Sequence, residues 1–405
     1  MPAQRFAPFG TTIFTEMTLL AQKHNAVNLA QGFPDFDGPR FVIEAAREAL
    51  ESGHNQYARM FGLPVLNRAI ADQWMRFTGQ EIDPDRQVTV TSGCTEAIAC
   101  AMLGLVDPGD EVVLFEPYYD SYRASVAMAG GVPRFVTLRP PTGAGRDGVA
   151  APGAFWFDPD ELRGAITDRT RLILVNTPHN PTGKVFTREE LELIAGVCRE
   201  REIIAVTDEV YERLTYEPSQ PHIRLATLPG MAERTLTLSS LGKTFSLTGW
   251  KIGWAIGTPE LCGSARSAHQ FLTFATATPL QMGAAAALSR DGESERVIGE
   301  LVETLREGRE TVAGALEGLG MTVYQPAGAY FIIADFTTGP RGSSFSDDQD
   351  FCKRLTAEAG VAAIPPSVFY QNREHGRRLA RFAFCKRQET LKEAVRRMQV
   401  WAARG

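Results

Sequence analysis

From about Gln87 to Gly257 the chain alternates short β-branched, apolar runs with stretches long enough to form helices. This alternation limits the possible folds more than any other feature. Val88 to Thr91, Glu111 to Phe115, Val132 to Leu138, Arg171 to Val175, Ile203 to Thr207, Thr235 to Ser239 and Gly253 to Ile256 read as strands. Thr95 to Val106, a stretch ending near Ala129, and a stretch from Thr187 to about Glu202 read as helices. The last opens on a capping box, with Thr187 at the N-cap and Glu190 three residues on. Arg171 to Val175 is apolar on both faces, as a central parallel strand requires. The pattern predicts an α/β fold with a large domain whose sheet is mostly parallel and carries helices on its faces.

Beyond about Gly283 the character changes. Ala284 to Leu316 reads as largely helical, with one charged and one aliphatic face, and Ala329 to Asp335 and Arg381 to Cys385 read as strands between helices. These segments predict a smaller α+β domain. Pro140 to Gly153 and Thr337 to Asp348, rich in Gly, Pro, Ser and charge, read as loops. A chain of 405 residues with 44% hydrophobic residues has enough apolar mass for one large core and a smaller one. Its net charge of −6 argues against a nucleic-acid or polyanion binder, so any basic site must be local. The six cysteines show no metal-ligand spacing, and several sit in apolar runs, which predicts reduced, buried thiols in a cytoplasmic protein. The N-terminus lacks the basic-then-apolar pattern of a signal peptide, and no apolar run reaches the length of a membrane span.

Four segments carry chemistry. Lys243 follows the β-rich run ending at Ser239 and is enclosed by Ser240, Gly242, Thr244, Ser246 and Thr248, with a second cation at Lys251. Small neighbours leave room beside the amine for a bulky group; hydroxyls and a second cation suit a phosphate. A lysine that forms a Schiff base needs such a partly desolvated, cationic setting to lower its pKa. A lone lysine is by default a solvated surface residue, so its company decides. Asp208 ends an apolar strand, where ligands collect in α/β sheets; a strand-end acid can equally pair with a nearby helix. Glu209 points to the opposite side if the strand continues. Ser92-Gly93-Cys94-Thr95 is a glycine turn opening a helix, whose free N–H groups and dipole suit an anion. Arg381 lies in the apolar run Leu379 to Phe384, where an unpaired charge is costly. It is either a binder of a carboxylate, which its planar fork matches, or half of an internal salt bridge. A dinucleotide-binding dehydrogenase is excluded by the lack of Gly-x-Gly-x-x-Gly after the first strand, and no Ser-His-Asp or zinc-ligand pattern competes.

The Lys243 run, Asn176-Thr177-Pro178-His179-Asn180-Pro181-Thr182-Gly183, Thr207-Asp208-Glu209-Val210-Tyr211 and Leu379-Ala380-Arg381-Phe382 together resemble, over nearly the whole chain, the fold-type I, aspartate aminotransferase-like class I/II aminotransferases that use pyridoxal 5′-phosphate (PLP). Val27 to Phe36, Asn55-Gln56-Tyr57, Glu116 to Asp120 and Val361 to Pro365 are most similar to the kynurenine/glutamine aminotransferase (cysteine-conjugate β-lyase) group and its bacterial methionine and succinyldiaminopimelate aminotransferase relatives. The resemblance implies a large PLP-binding domain over residues 41–284, and a small domain built from 1–40 and 285–405.

It also implies roles. Lys243 forms the imine with the cofactor and then serves as the base, Asp208 holds the pyridine nitrogen, and Tyr211 and Asn180 donate to the phenolate oxygen. Gly93, Cys94, Thr95, Ser240 and Lys251 cradle the phosphate, with Tyr57 reaching it from a neighbouring subunit, while Tyr119 stacks on the ring. For Tyr57 and Tyr119 ordinary core packing is the alternative. Many members of the class carry arginine where Lys251 stands; the kynurenine-type group carries lysine. Arg381, Asn180 and the backbone of Gly32 bind the substrate carboxylate. Phe14, Tyr57, Tyr119 and Phe331, with His269 or Phe271 of the partner, line the side-chain pocket. Members of that group have tryptophan where Phe14 stands, which implies a roomier pocket here. The implied enzyme is a homodimer with active sites at the subunit interface. It moves an amino group from an aromatic, methionine, glutamine or kynurenine-like amino acid to a 2-oxo acid. A C–S β-lyase or an N-succinyldiaminopimelate aminotransferase on the same scaffold is the alternative. A PLP-fold regulatory domain would come fused to a DNA-binding segment, and no basic helix-turn-helix extension is present.

Overall fold

The computed structural model describes residues 3–141, 153–339 and 341–404. Most of the expected loop at 140–153, residues 142–152, lies outside them, as does Pro340 in the second expected loop. Among the described residues, twelve strands run in chain order: β1 Val27–Asn28, β2 Val88–Thr91, β3 Glu111–Glu116, β4 Val132–Thr137, β5 Thr170–Asn176, β6 Ile204–Asp208, β7 Thr235–Ser240, β8 Gly253–Ile256, β9 Thr322–Tyr324, β10 Phe331–Asp335, β11 Val361–Ala362 and β12 Leu379–Ala383. The large sheet has the order β2-β8-β7-β6-β5-β3-β4. All its pairings are parallel except the two made by β8.

The central strand behaves as its sequence dictates. Leu172 and Leu174 join the core that contains Cys100 and Ala101 of helix Cys94–Leu105, while Ile173 and Val175 join the core that contains Leu191, Ile194 and Cys198 of helix Arg188–Glu200. Each such side chain removed from water contributes about 1.5–3 kcal/mol, so β5 is stabilised on both faces. The capping box at Thr187 and Glu190 is formed in both directions.

β8 is the exception in a sheet that is mostly parallel, as expected. It runs antiparallel to β7 and β2, pairing Gly253 with both Ser240 and Thr91. The link from Ser240 to Gly253 holds only the short turns Leu241–Thr244 and Thr248–Trp250. It has no helix able to carry the chain back across a sheet face, as a parallel crossover requires. The chain therefore reverses at the edge where the other strands end.

Elsewhere the differences are local. The long helical stretch splits into Thr278–Ser289 and Asp291–Gly318 at Arg290, because Asp291 and Glu293 favour a new N-terminus. The strand expected from Ala329 starts at Phe331, since Ala329 sits at φ +57°. The strand expected from Arg381 begins two residues earlier, at Leu379. A second sheet, β12-β10-β9, is antiparallel, and β1 pairs with β11, tying the first forty residues to the C-terminal part of the chain. All six cysteines are free and buried. No helix among the described residues is long and apolar enough to cross a membrane.

Candidate active site

β6 delivers Asp208 to the carboxyl edge of the large sheet, its side chain buried. One carboxylate oxygen accepts the Tyr122 hydroxyl at 2.7 Å, and the other the Val210 N–H at 3.2 Å. Burial raises its pKa, while the Tyr122 bond opposes the rise. Glu209 turns to the other face, where it accepts from Arg224 at 2.7 Å and from Thr207 at 2.9 Å and pairs with His222 at 2.9 Å. The two adjacent acids thus have opposite fates, as strand geometry requires.

The loop beside Asp208 is fixed by side chains. The Asn176 amide donates to the Asp208 carbonyl at 2.9 Å, and its oxygen accepts the Asn180 N–H at 2.7 Å. Thr177-Pro178 and Asn180-Pro181 are both cis. Lys184, closing the loop, forms a fully buried ion pair with Glu190 at 2.7 Å. Glu190 also accepts the Thr187 N–H at 2.9 Å, so the helix cap anchors the loop.

Lys243 lies in the short turn after β7. Its Nζ donates to the Tyr330 hydroxyl at 2.9 Å and lies 3.4 Å from the Gly32 carbonyl. The rings of Tyr211 and Tyr330 flank it at 5.7 and 5.5 Å. Burial holds the amine down to about 8, with the nearby cations Lys251 and Arg381 adding to the effect and Cys385 and Asp208 opposing it. Tyr211 is buried, which pushes its phenol well above the usual range.

The turn at Gly93 shows why glycine stands there. Its φ is +80°, and a Cβ would approach Lys251 Cε and Nζ at 3.1 and 3.2 Å. A Cβ on Gly253 would come within 2.6 Å of the Cys94 nitrogen, so the antiparallel strand lets the helix start at close quarters. The leading N–H groups of a helix have no carbonyl partner within it. Lys251 reaches Thr95 Oγ1 at 3.4 Å, and Ser240 is buried alongside. Cys94 lies beside Asp208 with its thiol pushed far up by burial. Burial also lifts Tyr119 to about 12, and its ring meets Tyr122 edge-on at 5.7 Å.

Arg381, 1% exposed, projects from β12. Nη2 donates to the Ala30 carbonyl at 2.6 Å and Nη1 to Asn180 Oδ1 at 3.1 Å, while Nε has no partner. Phe331 and Phe14 cover the guanidinium at 4.3 and 5.2 Å. No carboxylate among the described residues forms an ion pair with it, so the internal salt bridge is absent; burial lowers its pKa to about 10. Gly32 packs so closely that a Cβ would strike the Phe331 ring at 2.6 Å.

A cavity of about 370 Å³ collects Lys243, Asp208, Tyr211, Asn180, Gly93, Cys94, Thr95, Tyr119, Ser240, Lys251, Arg381, Gly32, Phe14 and Phe331. Tyr57 stays outside, 86% exposed and edge-on to Phe274 at 5.4 Å. Of the two alternatives for the partner's pocket, His269 is fully buried between Glu96 and the Met60 carbonyl, each at 2.8 Å, whereas Phe271 is 85% exposed.

Sequence reasoning missed Tyr122, Asn176 and Tyr330. Tyr122 had a signal: it follows Tyr119 by three residues in a helical stretch, a spacing that puts both on one face. Tyr330 had none, because strand alternation places it opposite Phe331.

The family model for class I and II aminotransferases matches residues 24–398. The probable N-succinyldiaminopimelate aminotransferase of Mycobacterium tuberculosis is 44% identical over 100% of this chain and 99% of its own. Human kynurenine–oxoglutarate transaminase 1 is 38% identical over 99% and 98%. The solved structure of the N-succinyldiaminopimelate aminotransferase from Mycobacterium tuberculosis superposes with a TM-score of 0.92 at 44% identity, covering 99% of this chain and 100% of that one. The methionine aminotransferase structure from Escherichia coli gives 0.89 at 37%, covering 99% of each.

Proposed function

The chain belongs to the class I and II aminotransferases, and on that premise we propose that this cavity holds PLP and passes an amino group from an amino acid with an apolar or aromatic side chain to a 2-oxo acid. The supporting observation is the pairing of a half-buried amine, Lys243, and a buried carboxylate, Asp208, in one cavity with two separate anion sites. One site is the Gly93 turn with Lys251; the other is Arg381 with its unpartnered Nε. The donor set fits the cofactor at each group. Gly93, Cys94, Thr95, Ser240 and Lys251 take the phosphate, Asp208 the ring nitrogen, Tyr211 and Asn180 the phenolate oxygen, Tyr119 the ring face and Lys243 the aldehyde carbon. When bound, PLP supplies an electron sink for charge released at the substrate α-carbon.

The protein's residues do the rest. Arg381, Asn180 and the Gly32 N–H orient the substrate carboxylate. Lys243, with its pKa lowered toward neutrality, takes a proton from the α-carbon and returns it one position away. Tyr122 donates to Asp208 and opposes the rise in its pKa that burial causes. Phe14 and Phe331 exclude water around the carboxylate site and present an apolar wall to the side chain.

The cations that line the cavity are Lys243, Lys251 and Arg381, each already occupied in this scheme. That favours an apolar side chain over one with a distal carboxylate such as an N-succinyl group. A panel of amino donors and oxo-acid acceptors, read by the colour change of the cofactor, tests this. Exclusive use of N-succinyldiaminopimelate, or β-elimination from cysteine conjugates outpacing transamination, would overturn it.

We further propose a cytoplasmic homodimer in which Tyr57 reaches the neighbouring subunit's phosphate site, with domains at 41–284 and at 1–40 plus 285–405. Support comes from exposed Tyr57, Phe271, Leu272 and Phe274, large apolar side chains that a lone subunit leaves in water, and from six buried cysteines that form no disulfide. Sedimentation equilibrium gives the subunit count.

A further inference from the structure

The two groups that hold the Lys243 amine have no place in the roles assigned so far. The Tyr330 hydroxyl donates to the Gly32 carbonyl at 2.6 Å. With its own proton committed, its oxygen can only accept, and at 2.9 Å it accepts from Lys243 Nζ. The Gly32 carbonyl stands 3.4 Å from the same nitrogen. The faces of Tyr211 and Tyr330 close two further sides. Tyr330 is 1% exposed and cannot swing away to water. Two oxygens with lone pairs directed at the nitrogen, and two aromatic faces, suit an ammonium better than a neutral amine. The other ionisable groups acting on the amine are Asp208 and Cys385, which favour its charge, and Lys251 and Arg381, which oppose it.

We propose that Tyr330 and the Gly32 carbonyl form a resting station for the Lys243 ammonium, and that Tyr330 is a positioning residue for proton transfer. The proposal rests on the PLP reading above. When Lys243 takes the substrate α-proton, a C–H bond breaks with its electron pair left on the substrate side, and an N–H bond forms. The amine becomes an ammonium with three donors. One goes to Tyr330 and one turns toward Gly32, which leaves the third for the carbon that is to receive the proton. The station thus fixes the direction of delivery and prevents loss of the proton to water.

Tyr330→Phe keeps the ring and removes the acceptor. Two consequences have opposite signs. Without the hydroxyl the ammonium is less stable, so more of the amine is neutral at pH 7 and apoenzyme captures PLP faster. The pH midpoint of capture, read from the growing absorbance of bound cofactor, should fall by about one unit, a tenfold change in the amine's protonation equilibrium. Turnover meanwhile slows, with kcat down by about tenfold and KM within about twofold. A packing defect would slow both, and that result overturns the proposal. So does an unchanged midpoint, or a rise in KM with kcat unchanged, which would place Tyr330 in the substrate pocket. If Tyr330→Phe does not fold, 3-fluorotyrosine at position 330, a weaker acceptor of the same shape, should shift the midpoint the same way by less; no shift overturns the proposal. Borohydride reduction and peptide mapping of the wild-type enzyme separate the two readings. No adduct on Lys243 refutes the cofactor assignment itself; an adduct there, without the opposed effects in the variant, refutes only the station.

Discussion

Replacing Arg381 by lysine, alanine and methionine separates what the guanidinium does for the substrate from what it does for the fold. It donates to the Ala30 carbonyl and Asn180, is covered by Phe14 and Phe331, and keeps Nε free. Lysine keeps the charge and loses one charge-assisted bond to a substrate carboxylate, about 1.5–3 kcal/mol. That corresponds to a fall of about 10- to 150-fold in kcat/KM. Alanine loses charge and fork together and leaves the substrate carboxylate buried without a partner, at about 2–5 kcal/mol, or roughly 30- to several-thousand-fold. The assay compares phenylalanine with phenethylamine, which has the same ring and no carboxylate. The amine should lose less than about threefold, since the lost contact does not exist for it. The apo fold should respond in the opposite direction. A buried cation without an anionic partner is a burden, so Arg381→Met should leave the melting temperature unchanged or raise it. Equal losses for amino acid and amine, with a fall of several degrees in Arg381→Met, would show that Arg381 supports the fold and does not read the substrate.

Lys243→Ala should fold, bind PLP without a borohydride-stable bond and lose multiple turnover; a reduced adduct on another lysine refutes the assignment. In the wild-type enzyme the rate of PLP capture should rise with pH through about 8, because the neutral amine reacts and burial has lowered its pKa to that value; a midpoint near 10 would mean the amine is solvated. Asp208→Asn should retain the cofactor and slow α-proton removal at least about a hundredfold, because a neutral ring nitrogen is a weak electron sink; single-turnover rates within about threefold, roughly 0.7 kcal/mol, would place another residue at the nitrogen. Lys251→Ala should weaken PLP affinity in equilibrium dialysis far more than it slows the cofactor-saturated enzyme, since a phosphate contact does not change during reaction; unchanged affinity refutes the phosphate role.

The sheet was legible because its strands are governed by local composition: Leu172 to Val175 can satisfy its side chains only between two helical layers. Asp208, Lys243 and Arg381 were legible for the opposite reason. Each is a charge where local rules ask for an apolar or small residue, and such conflicts concentrate at functional sites. What stayed hidden depends on the third dimension. The antiparallel run of β8 follows from a link too short to cross the sheet, but the strand's composition is the same either way. Tyr122 and Tyr330 look like core aromatics, and only the placement of their hydroxyls, on Asp208 and on Lys243, separates them from the rest. Of the two alternatives that the resemblance left for the partner's contribution, Glu96 and the Met60 carbonyl hold His269 inside its own subunit, which a sequence pattern does not reveal.

Charge distribution ties these observations together. The chain as a whole carries −6, yet its cavity holds three cationic side chains against the single carboxylate of Asp208. Burial lowers the pKa of Lys243 and of Arg381, and for Lys243 the charges of Lys251 and Arg381 add to the effect. On the reading proposed above, a phosphate at the Gly93 turn and a carboxylate at Arg381 would offset this charge from two parts of the cavity that Lys243 also lines. Binding energy from these two remote groups can then hold the reacting carbon beside the amine, while the negative charge of the rest of the molecule keeps larger polyanions away. On that reading, the local excess of positive charge in an otherwise acidic chain suits small ligands with two separated anionic groups.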